Sequence, residues 1–471
     1  MTDAVAAVDL GATSGRVMLG YVGHNELSVR PVARFPNTPV RTIDGLHWNI
    51  LELYRNVVAG LASAVQEEPS ITSVAVDSWA VDYALMRDGR MLGTPYHYRD
   101  ERTVPAVEQA HALVGPDELY AANGLQFLSF NTLYQFTADR DAGTLQLADG
   151  FLLIPDLINY WLTGERFAEQ TNASTTGLLN IATGQWDHDL IGRLDLPRGV
   201  FPELIAPGTS IGRVLPGIGL DGLSVTAVGS HDTASAVVAV PSIRDDFAYI
   251  SCGTWGLVGV ELDSPVLTAQ SRAANFTNEG GVGDSDGTGR VRYLHNVMGL
   301  WLLSESVREW QLHDPTIELA GLLAAASALT TPVPLFDADD PTFTAPGGMP
   351  DRIAAWCQAH DVAAPRTPVE FVRSIIESLA VAFVDAVHSA SRLSGRSVSV
   401  IHIVGGGSQN ELLCQLIANR SGIPVLAGPV EATAIGNVLI QARTRGLVSG
   451  SLESLRSLVA SAFSPRIYHP R

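Results

Sequence analysis

Lysine is absent from this sequence: the 30 basic residues among its 471 are all arginine. That absence excludes Schiff-base chemistry, which needs a lysine amine. It also excludes the G-x-x-x-x-G-K-[ST] phosphate loop and the protein-kinase signature, both of which place a lysine on the phosphates. A nucleotide bound here would be held by backbone N–H groups, hydroxyls, arginine and a metal. Cysteine is scarce, with Cys252, Cys357 and Cys414 far apart and odd in number, so neither a disulfide framework nor a zinc site is expected. The 12 histidines show no H-E-x-x-H or H-x-x-E-H spacing. Positive charge is short as well: the net charge of -19 argues against nucleic acid as a partner, and serves solubility. No uninterrupted apolar run reaches membrane-spanning length, and the N-terminus runs straight into a strand pattern without a charged leader. The expectation is a cytoplasmic protein with no membrane partner.

What is present is a well-patterned globular chain, 46% hydrophobic and 17% charged. Its length predicts two domains. Val5–Leu10 reads as a buried strand, Gly11–Gly15 as a turn and Arg16–Tyr21 as a returning strand. The second half repeats this theme, with Phe247–Ser251 as a strand, Cys252–Trp255 as a turn and Gly256–Val260 as the return. Two hairpins with Gly/Ser/Thr tips suggest two domains of common ancestry, with a boundary near Pro241–Asp246. Ile71–Asp77 reads as another buried strand, and helices are predicted over Arg102–Leu113 and Asn131–Ala138. A helix over Pro368–Leu393 has Thr367 as its cap, Glu370 as the partner of a capping box and Gly395 as its stop. The strand Val398–Val404 meets Gly405-Gly406-Gly407 ahead of a helix from about Asn410 to Arg420, a good place for a nucleotide. Asp284–Gly289 reads as an Asp/Gly-rich loop.

Three places could carry chemistry. In Gly229–Ala236, Asp232 stands at the start of a small-residue helix over Thr233–Val240. It is either a catalytic carboxylate aimed by the helix N-terminus or an ordinary N-cap. In the first hairpin, Gly11, Thr13, Ser14 and Gly15 would let phosphate oxygens reach backbone N–H groups, with Arg16 adding charge and Asp9 a hard oxygen ligand for a cation. The alternative is a plain turn. Asp77 and Asp82 flank Trp79, and on one strand their odd spacing puts them on opposite faces, so one of them would meet a substrate and the other would pair structurally.

Together these motifs resemble the FGGY family of carbohydrate kinases. The resemblance rests on Ala7–Arg16, Val76–Tyr83, Tyr98–Thr103, Gly124–Gln135, Ser230–Val237, Thr277–Gly281, Asn296–Leu303 and Leu426–Ala432, in the family's order over nearly the whole chain. It implies an α/β protein of two ribonuclease-H-like, actin-like domains with an interdomain cleft. Residues 1–241 would form the sugar-binding domain and 242–471 the nucleotide-binding domain. It also implies ATP and Mg²⁺ as cofactors, a small ketose as substrate, and a monomer or homodimer. The γ-phosphate would pass to the 1-hydroxyl of L-rhamnulose. L-fuculose, L-ribulose or D-xylulose are alternative acceptors, and a non-catalytic ATP-binding regulator is an alternative of another class. By the same resemblance Asp232 accepts the hydroxyl proton, and Ala80, Asp82, His231, Thr233 and Asn296 meet the sugar. Ala12, Thr13, Ser14, Gly15, Arg16 and Thr254 meet the phosphates, Gly405, Gly406 and Gly407 lie by the adenosine, and Asp9 holds the metal, directly or through water. The chain departs from the family's pattern at Ala80, where the family has glycine, at Ser304, where it has glutamine, and in the added Asp284–Gly289 loop.

Overall fold

A computed structural model describes residues 3–23, 26–284 and 289–471; residues 285–288 of the Asp/Gly-rich loop lie outside them. The opening apolar run forms the strand Asp3–Leu10, which turns at Gly11 and returns antiparallel as Ser14–Gly23. Glu26–Pro36 adds a third antiparallel strand. On its other side Asp3–Leu10 pairs in parallel with Ser73–Ser78, and the sheet continues through Ser224–Thr226 to Ser210–Arg213. Ser73–Ser78 is buried along its whole length, as a central parallel strand must be when helices cover both faces. The mixed sheet, an antiparallel hairpin joined to parallel strands, is the expected ribonuclease-H-like arrangement.

The chain forms two compact units. The first contains residues 1–243, 261–293 and 431–463, and the second contains 244–260, 294–430 and 464–471. In the second unit Phe247–Cys252 pairs antiparallel with Trp255–Leu262 and parallel with Val400–Val404. Val425–Ala427 and Arg466–Tyr468 follow in the sheet. The hairpin-plus-parallel-strand pattern of the first unit thus recurs in the second.

Helix ends follow local chemistry. Pro368–Ser394 starts at Thr367, whose hydroxyl accepts the Glu370 N–H, and stops at Gly395 in the left-handed region (φ 72°). The anticipated capping box is displaced by one residue: the Glu370 carboxylate accepts the Arg366 N–H at 2.6 Å. Within the first unit, helix Thr132–Asp141 buries Leu133 and Phe136 among Tyr83, Phe151 and Leu153. The rings of Tyr83 and Phe136 meet edge to face at 4.6 Å, and those of Phe136 and Phe151 at 5.0 Å. This packing holds the helix beside the segment 79–82, where the candidate site begins.

Candidate active site

The parallel register of the first unit sets Asp9 opposite Asp77, so two carboxylates share one face at the carboxyl ends of adjacent strands. The loop before helix Asp232–Val238 docks on the same strand end. Ser78 N–H donates to Ser230 O at 2.9 Å, and Ser78 bridges His231. Glu169 anchors that loop by accepting both the N–H (2.9 Å) and the hydroxyl (2.8 Å) of Ser230. Asp232 is thereby brought into the field of Asp9 and Asp77, which raises the pKa of each of them.

The helix cap is His231, not Asp232. Asp232 is the first helical residue, and the side chain of His231 makes no capping hydrogen bond. The cap reading of Asp232 therefore falls, and its carboxylate faces outward, 30% exposed. It accepts the Thr233 hydroxyl at 3.1 Å, and His231 Nε2 lies 3.6 Å away. The protein around it raises its pKa by desolvation, against the lowering effect of His231, the Thr233 bonds and Arg292.

Asp82 lies elsewhere in the first unit and in a different environment. The strand ends at Ser78, so Asp77 and Asp82 do not share a strand, and the face argument from their spacing does not apply. A tight turn intervenes. Asp82 N–H donates to Ala80 O at 2.9 Å, and Val81 adopts φ 67°. A β-branched residue there stores about 1–3 kcal/mol of strain, which the surroundings must hold. They do so through Thr132 Oγ1, which donates to Val81 O at 2.7 Å. The Asp82 carboxylate accepts from Trp48 Nε1 (2.6 Å), Trp79 Nε1 (3.1 Å), Tyr98 N–H (3.1 Å) and Gln135 Nε2 (2.8 Å). Burial pushes its pKa up to about 7 even against those four donors. Three of these donors meet Oδ2 and one meets Oδ1, and the residue is 1% exposed, so the carboxylate is held mainly by protein groups. Asp82 shapes the Trp79–Ala80 segment, and Ala80 itself is partly exposed.

The tip of the first hairpin is pinned by Asn37, whose N–H donates to Thr13 O (3.0 Å) and whose side-chain amide donates to Gly11 O (2.9 Å). Ala12 and Ser14 are partly exposed and Thr13 is exposed, as a phosphate-facing tip requires. Gly15 has a second reason to be glycine: a Cβ there would stand 2.2 Å from the Phe35 ring. Arg16 reaches back to Asp9 at 3.8 Å and pairs closely with Glu431. Burial raises Asp9 to about 6 despite Arg16, helped by the charges of Asp232 and Glu431.

Helix Ala432–Thr444 completes this end of the first unit. Gly436 permits its close approach, since a Cβ would stand 1.8 Å from Ser235 O. Asn437 donates to Asp77 Oδ2 at 2.5 Å, and Gln441 donates to Ala6 O at 2.9 Å. Asp77 Oδ1 is buried with no hydrogen-bond partner, and its pKa is raised by burial and by Asp9. An orphaned carboxylate oxygen beside a second carboxylate of raised pKa is the donor chemistry a divalent cation satisfies, so Asp9 and Asp77 fit an Mg²⁺ ion.

In the second unit, Thr254 sits on the turn Cys252–Trp255, and its carbonyl accepts the Trp301 N–H at 3.1 Å. Gly405–Gly407 lies against the same turn: a Cβ on Gly407 would stand 2.2 Å from Cys252 Sγ, and Gly405 adopts φ 80°. The structure thus brings the expected phosphate and adenosine residues of this unit together. Asn296 is partly exposed on the strand Arg290–Met298, which Asp339 ties down through Met298 N–H (3.1 Å) and His295 Nε2 (3.0 Å). Ser304 is an exposed residue of helix Trp301–His313.

The profile of the FGGY family of carbohydrate kinases matches residues 4–239 through its N-terminal domain and 248–445 through its C-terminal domain. The chain belongs to this family. FGGY carbohydrate kinases are ATP-dependent phosphotransferases, and this member is therefore a sugar kinase. Among curated relatives, rhamnulokinase of Bacteroides thetaiotaomicron is 39% identical, with 99% of this chain and 95% of the relative covered. Rhamnulokinase of Pectobacterium carotovorum subsp. carotovorum is 41% identical, over 99% and 93%. Gluconate kinase from Lactobacillus acidophilus shares the fold with a TM-score of 0.79 at 16% identity, over 100% of this chain and 94% of that one. Glycerol kinase from Plasmodium falciparum with ADP does so at 0.77 and 14%, over 100% and 94%. The ribonuclease-H-like, actin-like fold expected of the family holds. Asn437, Glu431, Glu279 and Arg292 were not among the residues given roles from sequence, and Asp77 was offered there only as one of a pair with Asp82. Arg292 shares its strand with Arg290, His295 and Asn296, so no local signal set it apart.

Proposed function

We propose that this FGGY kinase transfers the ATP γ-phosphate to the 1-hydroxyl of L-rhamnulose, giving L-rhamnulose 1-phosphate and ADP. The observation that carries the chemistry is Asp232, a carboxylate released from capping, partly exposed and raised in pKa by its surroundings. What supports the sugar is the full-length similarity to proteins named rhamnulokinase. Asp232 accepts the hydroxyl proton as the oxygen attacks, a contribution on the order of 10²–10⁴-fold. His231, Thr233, the Ala80 segment and Asn296 border the sugar. Ala12–Arg16 and Thr254 receive the phosphates, and Gly405–Gly407 receives the adenosine. Arg16 exchanges its Glu431 partner for phosphate when nucleotide arrives. Asp9 and Asp77 would hold Mg²⁺, which supplies neutralisation of phosphate charge when bound. Sugar binding is proposed for residues 1–241 and nucleotide binding for 242–471. The enzyme works in the cytoplasm as a monomer or homodimer. Among the described residues no helix is long and apolar enough to cross a membrane.

A coupled ADP-release assay across L-rhamnulose, L-fuculose, L-ribulose, D-xylulose and glycerol tests the reading. The highest kcat/KM is expected with L-rhamnulose. A higher value with another ketose overturns the substrate, and no release with any sugar overturns the activity.

A further inference from the structure

His231 stands between the candidate base and a buried ion pair, and the ion pair has been given no task. One face of the imidazole presents Nε2, 3.6 Å from Asp232 Oδ1. Nδ1 meets Arg292 and Glu279, 0% and 4% exposed. Arg292 is fixed by Nε, which donates to Gly280 O at 2.9 Å, and its terminal NH2 nitrogen lies 3.1 Å from His231 Nδ1 in hydrogen-bonding geometry. Glu279 Oε2 is 3.1 Å from the same guanidinium nitrogen and 3.2 Å from Nδ1, yet accepts no aligned hydrogen bond. Burial pushes the Glu279 pKa up, but the Arg292 and His231 contacts outweigh it and hold the carboxyl below its usual value. Glu279 is therefore a counter-charge to Arg292, and the aligned bond is the one between Arg292 and His231; the same guanidinium nitrogen, 3.1 Å from both atoms, offsets the repulsion between the Nδ1 lone pair and Glu279 Oε2.

A guanidinium has five donors and no acceptor, so it bonds Nδ1 only through that nitrogen's lone pair. We propose that Arg292 is a positioning residue for phosphoryl transfer. It fixes neutral His231 in the tautomer that carries its proton on Nε2, while Glu279 balances the buried guanidinium charge. The ring then turns an N–H, rather than a lone pair, toward Asp232 and the sugar. A lone pair on Nε2 would repel the carboxylate, whereas a donor steadies it in its ionised, aimed form. The inference rests on the reading of Asp232 as the base.

The direct test is a ring-nitrogen ¹⁵N–¹H correlation spectrum of ¹⁵N-histidine-labelled, sugar-free protein, with His231 assigned by comparison with His231→Gln. The expected result is a proton on Nε2 and an unprotonated, hydrogen-bonded Nδ1. A proton on Nδ1 overturns the proposal. That measurement is independent of turnover, so its outcome is separable from the kinase reading, which wild-type ADP release tests. The second arm is the double variant Arg292→Met/Glu279→Gln, which leaves no lone buried charge. Its spectrum should gain an Nδ1–H population. Its kcat per folded molecule should fall about 10- to 100-fold while the sugar KM changes less than about threefold. An unchanged kcat in folded double variant overturns the proposal. If that variant does not fold, the wild-type spectrum decides alone.

Discussion

Asp82 and Asp232 are both carboxylates whose pKa is raised by the surrounding protein, and the first unit gives them opposite surroundings. Around Asp82, two indoles, a backbone N–H and a glutamine amide converge, three of them on Oδ2 and one on Oδ1. Around Asp232 the neighbouring Thr233 hydroxyl donates at 3.1 Å, and the carboxylate is 30% exposed. The lesson is that burial alone does not mark a functional carboxylate. What distinguishes Asp232 is acceptor capacity left open toward solvent, next to two further carboxylates whose pKa burial raises. Asp82 invests the same chemistry in shape, holding a turn with φ 67° at Val81 beside Ala80.

The strongest way to break this contrast is Asp232→Asn. It removes the proton acceptor while keeping the shape, so turnover in the ADP-release assay should fall about 10³-fold or more with the melting temperature nearly unchanged. Turnover near wild type would make Asp232 no different from Asp82. The reciprocal change, Asp82→Ala, should act on the fold instead. It strands buried donors from two tryptophans and a main-chain amide, and urea unfolding should give a loss of about 3 kcal/mol. Its pH dependence has a definite sign. The folded pKa of about 7 lies above the unfolded carboxylate value. The Asp82 contribution to wild-type stability is therefore fully present below about pH 4 and is lost as pH rises through about 7. The stability gap between wild type and Asp82→Ala should narrow over that range, and a gap that widened would refute the assignment. Next in size, Asp77→Asn should raise the Mg²⁺ concentration for half-maximal turnover about 10-fold at unchanged sugar KM, since it neutralises a proposed cation ligand. The smallest effect is expected in the second unit. Gly407→Ala puts a methyl into the space of Cys252 Sγ and should cost about 1–3 kcal/mol in stability and weaken ATP binding measured by calorimetry.

Sequence carried the local part of this architecture. The hairpin Asp3–Gly23, the helix from Pro368 to Gly395 and the glycine turn at 405–407 are each set by residues close in the chain, so periodicity and turn chemistry suffice to place them. Asp232 was legible as a candidate but not as a choice between base and cap. That choice depends on whether residue 231 or 232 takes the extended conformation, and His231 is not a favoured cap type. The misplacement of Asp77 and Asp82 on one strand has a similar origin. The turn at Val81 is enforced by Thr132 and Gln135, some 50 residues on, and leaves no mark in the local pattern. Asn437, Glu431 and Arg292 were invisible as site residues because their partners are 360, 415 and 61 positions away.

The return of residues 431–463 to the first unit has a consequence for biosynthesis. Asn437 and Gln441 supply hydrogen bonds to Asp77 and Ala6 in two central strands that leave the ribosome first. The nascent N-terminal region therefore waits for nearly the whole message to be translated before those groups find their partners. Meanwhile the second unit can pair Phe247–Cys252 with Trp255–Leu262, and add Val400–Val404 and Val425–Ala427, before residues 431–463 are made. The order of maturation would then run against the order of synthesis, and the carboxylate cluster at Asp9 and Asp77 would be among the last features of the molecule to form.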